Sequence, residues 1–144
     1  AGAPSLRIGS YTHPEFGELL AAHARSSAAN VMLLRGTEGE AAADPRRQPR
    51  IDTFLHGVLR PELSCPAHDG PLAELPALPG CDAGATAQYI GAVLAGTQPA
   101  PAPLETQVRL ARAALAALQL LASEAWPSPS PSSRPVPTAP QKTA

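Results

Sequence analysis

Two segments of this 144-residue chain carry side chains whose types and spacing suit chemistry. The first is Arg35-Gly36-Thr37-Glu38-Gly39-Glu40. It follows the apolar run Val31 to Leu34, which reads as a strand, so it falls at a strand's C-terminal end. Open α/β sheets bind ligands there. Glycines at 36 and 39 let the backbone approach a ligand, and Glu38 and Glu40 offer the oxygen donors that Mg²⁺ takes. The plainer reading is a glycine-shaped turn with solvated glutamates, and spacing alone favours it. The second segment is Arg35, Arg46, Arg47 and Arg50, four guanidiniums within 16 residues. Guanidiniums grip phosphates bidentately, and phosphate contacts position a nucleic acid without reading its sequence. The alternative is a solvated loop with Asp44, Asp52 and Glu40 as ion-pair partners. No aromatic residues interleave with these arginines, and the net charge from 35 to 50 is only +1, so single-strand stacking is not supported at this cluster.

Other constellations carry less. His13, His23, His56 and His68 are scattered, with no HxxxH or HExxH spacing, and read as surface or capping residues. No GxSxG elbow, GxGxxG fingerprint or GxxxxGK[ST] loop is present. Cys65 and Cys81 lie in a proline-rich stretch without a CxxC pattern. They make neither a disulfide framework nor a zinc site, and free thiols suit a cytoplasmic protein.

The elements that must position the arginines are readable. Residues 6–11 read as a short strand ending near Gly9. Thr12-His13-Pro14-Glu15 reads as a capping box with proline in the first turn. It opens a helix over 14–28 whose apolar positions are Phe16, Leu19, Leu20 and Ala24. Val31 to Leu34 then reads as a buried parallel strand, completing a βαβ unit. Two apolar runs, 51–55 and 58–59, flank His56-Gly57 as a hairpin. Residues 61–80 hold five prolines and read as a long connection packed against something else. Asp82 caps a helix over 83–95 with Ala87, Ile90, Val93 and Leu94 toward the core and Gly96 as its stop. A proline-punctuated turn leads into a helix over 104–125 with the stripe Leu104, Val108, Ala111, Leu115, Leu118 and Leu121. From Trp126 the chain is Pro/Ser-rich and is expected to be a disordered tail over 126–144.

Composition bounds the rest. The chain has 18 prolines, more than twice the usual share of about 5%. Of its apolar residues 29 are alanine, and Leu, Ile, Val and Phe together number only 28. A chain so supplied is at the edge of what can bury a core, although its net charge of −1 is not that of a disordered protein. The near-neutral balance gives no whole-chain drive toward nucleic acid or membrane, so such affinity must come from a local cluster. No apolar stretch is long enough to span a membrane, and no secretory signal precedes the first strand. The single methionine is Met32, and a chain beginning Ala-Gly-Ala-Pro is expected to be a piece of something longer.

The stretch from Ile8-Gly9-Ser10-Tyr11-Thr12-His13-Pro14-Glu15 to Leu33-Leu34-Arg35-Gly36-Thr37-Glu38-Gly39-Glu40, with Asp44-Pro45-Arg46-Arg47 beyond, resembles glycosyltransferase family 3. These are the nucleoside phosphorylase and anthranilate phosphoribosyltransferase folds, and the closer likeness is to an anthranilate phosphoribosyltransferase-like branch described as nucleic-acid binding. The resemblance covers residues 6–96 and, more loosely, the helix to about 121. It implies an α/β fold in which residues 1–125 form the C-terminal part of the catalytic domain, completed by an upstream half of that domain. Where the enzymes carry the adjacent acidic pair that holds Mg²⁺ and pyrophosphate, this chain has Ala41 and Ala42, and a methyl group cannot ligate a metal. The family's glycine-rich diphosphate loop would lie upstream of residue 1.

The expectation is therefore a cytoplasmic, non-membrane chain that has no catalytic residue, metal or cofactor of its own and binds nucleic acid through Arg35, Arg46, Arg47 and Arg50. Gly36, Thr37, Glu38, Gly39 and Glu40 would form its ligand loop. The alternative is a longer parent that works as a phosphoribosyltransferase, with Mg²⁺ and possible homodimerisation, of which this chain alone is inactive. A truncated frame without function is a third reading, and it expects a partly molten chain.

Overall fold

The computed structural model describes residues 4–37, 39–68, 72 and 77–124. The expected tail and Glu38 lie outside the described residues. The elements are β1 (Arg7–Tyr11), α1 (Pro14–Ser26), β2 (Val31–Arg35), β3 (Ile51–Leu55), β4 (Val58–Leu59), a 3₁₀ turn (Pro61–Leu63), α2 (Ala83–Leu94) and α3 (Ala102–Glu124). The chain is mixed α/β. One sheet has the order β1-β2-β3-β4, with β1 parallel to β2 and the other two pairings antiparallel. The expected βαβ unit and hairpin are both present.

Strand alternation sends successive side chains to opposite faces, and here both faces are covered. Met32, Leu34 and Ile51 pack with Leu110 of α3, while Leu55 packs with Ala114 and Leu118 further along the same helix. Leu33 and Phe54 point the other way, against Ala21 and Ala24 of α1. Two covered faces explain why β2 reads as a continuous apolar run and not as an alternation. Thr53 is the polar exception among the fully buried strand residues. Its hydroxyl donates to the Leu63 carbonyl at 2.7 Å, and its N–H donates to Ser64 Oγ at 3.0 Å, so the 3₁₀ turn is stitched to β3.

The turns follow local chemistry. His56 (φ +51°) and Gly57 (φ +77°) both adopt left-handed backbone, as a two-residue hairpin turn of the favoured hand requires. The His56 N–H donates to Asn30 Oδ1 and the Gly57 N–H donates to the Ala29 carbonyl. Asp82 caps α2 by accepting from the Ala85 N–H at 2.6 Å, and Gly96 (φ +72°) ends that helix as expected. Cys65 and Cys81 are free thiols. Among the described residues no helix is long and apolar enough to cross a membrane.

Five expectations need correction. β1 runs on through Gly9 to Tyr11. The capping box does not form, because the N-cap is His13 and not Thr12. That shift moves Glu15 out of the reciprocal position, and the Thr12 hydroxyl instead pairs with His13 Nδ1 at 2.9 Å. α1 presents Ala21 and Ala24 to the sheet, leaving Phe16, Leu19 and Leu20 exposed. The reason is a close approach: a Cβ at Gly17 would stand 2.7 Å from the Tyr11 ring, so the helix meets β1 on small residues. α3 is rotated from the expected stripe, burying Gln107, Leu110, Ala114 and Leu118 while Val108 is 56% exposed. α2 buries no residue at all, and Ile90 and Leu94 are 51% and 83% exposed. Periodicity shows that a helix has an apolar face, not whether a neighbour covers it.

A Cβ at Gly57 would lie 2.8 Å from the Arg25 carbonyl oxygen and 2.9 Å from Ala28 Cα, in addition to the positive φ. Gly57→Ala is expected to destabilise the fold by roughly 2–4 kcal/mol in urea denaturation. Gly91→Ala, in α2 with nothing within 4 Å of the added methyl, is expected to be neutral or stabilising by about 0.5–1 kcal/mol.

Candidate functional site

The arginines are brought together by strand direction. Arg35 ends β2, and β3 begins just after Arg50. Because the two strands are antiparallel, the end of one meets the start of the other, and the Arg35 N–H donates to the Arg50 carbonyl at 3.3 Å. Residues 36–50 close the gap as a loop. Its first residue extends the parallel ladder: the Gly36 N–H donates to the Tyr11 carbonyl at 2.9 Å. A Cβ at Gly36 would be 3.1 Å from the Glu40 carbonyl oxygen, so this position favours glycine through closeness rather than φ.

The middle of the loop is held from a distance by α3. Gln107 is buried; its Oε1 accepts from the Ala43 N–H at 2.8 Å, and its Nε2 donates to the Ala41 carbonyl at 2.9 Å. Asp44 follows immediately and is also buried. Its carboxylate accepts from the Thr37 hydroxyl at 2.9 Å, from the Arg46 N–H and Nε at 3.0 Å each, and from Arg46 Nη2 at 3.2 Å. Arg47 Nε lies 3.3 Å from the same carboxylate, and Arg47 Nη2 donates to the Thr37 hydroxyl oxygen at 2.9 Å. Arg50 Nε reaches Asp52 Oδ2 at 2.9 Å. The ion-paired loop expected as the alternative is thus real for Asp44 and Asp52. It orients the guanidiniums without burying them, since Arg46, Arg47 and Arg50 remain more than half exposed while Asp44 does not.

Arg35, Arg46, Arg47 and Arg50 all line one open cleft of about 660 Å³, together with Gly36 and Thr37. Thr12, Asp44, Gln48, Pro49, Ala67 and His68 also line it. His68 arrives because Cys65 pairs with Ile51 as a short antiparallel bridge and the His68 N–H donates to the Gln48 carbonyl at 3.1 Å. Nothing in local spacing marks that pairing. The ligand loop is divided: Gly36 and Thr37 face the cleft, Gly39 turns away to accept from the Ser10 hydroxyl at 2.8 Å, and Glu40 is exposed outside the cleft lining. Ala41 and Ala42 bring methyl groups, the Ala41 carbonyl is engaged by Gln107, and among the described residues no three His, Cys, Asp or Glu side chains form a metal-holding group.

The Arg46 guanidinium and the Thr37 hydroxyl hold the Asp44 carboxyl well below the usual carboxylate range, against the opposing effect of its burial. A carboxyl with a depressed folded pKa contributes stability that is complete above its unfolded value of about 4 and is lost as pH falls below that. Asp44→Asn is therefore expected to be less stable at pH 7 and to show a flatter loss of stability in melts between pH 4 and pH 2. Gln107→Leu strands the Ala43 N–H and is expected to cost about 2 kcal/mol in urea denaturation.

No protein-family profile matches the chain. It is 34% identical over 109 residues to a protein of Escherichia coli (strain K12) described as uncharacterized protein YbiB. The match covers 75% of this chain and 33% of the relative, so the chain spans about a third of the length of the curated relative it matches.

Proposed function

We propose that this chain binds nucleic acid through its phosphates, without sequence selection, as part of an anthranilate phosphoribosyltransferase-like protein of glycosyltransferase family 3. The observation that carries this reading is the meeting of four arginines, drawn from a 16-residue span, in one open cleft at the end of the sheet. Each guanidinium has five N–H donors in a planar fork, more than one carboxylate accepts, so Arg50, oriented by Asp52, retains donors for a phosphate. Asp44 and Asp52 pair with three of the four guanidiniums and give them a preorganised geometry. Binding of this kind releases counterions and weakens steeply with salt.

The transferase alternative calls for an acidic pair where this chain has Ala41 and Ala42, and no chemical step is assigned to it. The exposed apolar side chains of α2 and the outer face of α3 support packing against further protein, such as the upstream half of the same domain.

The test is the salt dependence of binding to a mixed-sequence oligonucleotide, with the fold of each variant checked by circular dichroism. Arg35→Ala is the cleanest variant, because among the described residues no carboxylate pairs with Arg35 and none is stranded. It is expected to lower the magnitude of the log K against log salt slope by about 0.7–0.9. The combined Arg46, Arg47 and Arg50 to Ala variant is expected to lower it by about 2–3. A folded variant with an unchanged slope would remove these residues from the interface.

A further inference from the structure

A second, more enclosed cavity of about 210 Å³ lies on the α1 side of the sheet, and Arg35 and Arg50 line both it and the arginine cleft. Its remaining wall differs in character. Tyr11 and Phe54 bring aromatic rings, and Glu18 and Asp52 bring carboxylates. The Tyr11 ring is held against Gly17, where even a methyl would collide at 2.7 Å, so its position is set by the helix backbone behind it. The Arg25 guanidinium lies 5.4 Å from the centroid of the Phe54 ring, so this wall already packs a planar cation on an aromatic face. Burial raises the pKa of the Tyr11 phenol, with the Asp52 charge adding to it, so the hydroxyl remains a neutral donor.

These features select the occupant. Glu18 and Asp52 repel a second phosphate but accept N–H groups from a heterocycle edge. Flat guanidiniums and a fixed phenol ring suit stacking on a planar ring. The volume is below the roughly 300 Å³ at which pockets for drug-sized ligands begin, which fits one ring system and excludes a base pair. We infer that this pocket takes one unpaired base of a single strand whose phosphates lie in the adjoining arginine cleft, with Arg35 and Arg50 at the junction between base and phosphate. The inference rests on the phosphate reading above and adds strand form to it. A duplex would have to extrude a base to make the same contacts, and extrusion costs unstacking and unpairing.

The experiment uses the full chain and three fluorescent probes of equal length: a single-stranded oligonucleotide, its duplex, and a strand of abasic sugar-phosphate units. The base-bearing single strand is expected to bind about tenfold more tightly than the abasic strand, and more tightly than the duplex. Tyr11→Leu is expected to erase the base-dependent difference while leaving abasic binding in place. Because Tyr11 is packed against α1, a second readout does not depend on that variant. Ultraviolet crosslinking of a 5-iodouracil single strand to the unsubstituted chain is expected to place the adduct on the tryptic peptide that contains Tyr11. Equal affinity for base-bearing and abasic strands, a preference for duplex, or an adduct confined to other peptides would overturn the base pocket and leave the phosphate reading standing. Absence of binding to all three probes at low salt would overturn both.

Discussion

The geometry of the arginine cleft depends on one buried amide. Gln107 projects from α3 into the core and spends both ends of its side chain on the loop backbone, at Ala41 and Ala43. A primary amide presents an acceptor and donors on one carbon, so a single residue can satisfy a carbonyl and an N–H two residues apart. In a buried setting these bonds matter more for what their absence would leave unsatisfied than for their net strength. The loop needs this support because it is alanine-rich from 41 to 43 and has little side-chain volume with which to hold itself down. Asp44, the next residue, inherits its position from that clamp. Thr37, Arg46 and Arg47 then inherit theirs from Asp44. Long-range packing of α3 on the sheet is thus converted, through one amide and one carboxylate, into the directions of two exposed guanidiniums.

Asp44 also resolves a tension between the two readings of the arginine cluster. A carboxylate beside guanidiniums is usually taken as neutralising a site. A single exposed ion pair contributes little stability, about 0–1 kcal/mol, because solvent screens it and two flexible side chains must be ordered. Asp44 is different because it is buried and receives five distinct donor contacts from Thr37, Arg46 and Arg47. The ordering cost of the arginines is therefore met within the folded protein, before any phosphate arrives. Preorganisation of this kind raises affinity by removing a cost of binding. Charge partly cancelled and charge well aimed are the same arrangement seen from the carboxylate and from the solvent.

How much of this was legible in the residues follows from the range of the interactions. The β2 run, the His56-Gly57 turn, the Asp82 cap and the Gly96 stop are set within a few residues and read correctly. The helix faces did not. In α1 the large apolar residues Phe16, Leu19 and Leu20 suggest the buried side, yet Gly17, Ala21 and Ala24 meet the sheet because Tyr11, Leu33 and Phe54 already supply the volume there. In α3 the buried stripe contains Gln107, which a hydropathy pattern discards. The four arginines were identifiable by type and proximity, whereas Thr12, Gln48 and His68 join them only through tertiary placement. His68 depends on the pairing of Cys65 with Ile51 across 14 positions, and no local motif announces it.

The mixed direction of the sheet is what makes these contributions converge. β1 and β2 are parallel, so Tyr11 and Arg35 are register partners at the same edge of the sheet. Had β3 continued the parallel pattern, its start would lie at the opposite edge and Arg50 would sit far from Arg35. A parallel return also needs a crossover of a dozen or more residues, usually helical, and the loop here is instead irregular and clamped to α3. The antiparallel β3 brings Arg50 and Asp52 back to the edge where Tyr11 and Arg35 end. Arg35 and Arg50 therefore line both the pocket on the α1 side of the sheet, with its aromatic wall, and the open cleft that Arg46 and Arg47 also line. A cleft suited to phosphate and a pocket suited to a ring become neighbours because one strand reverses direction.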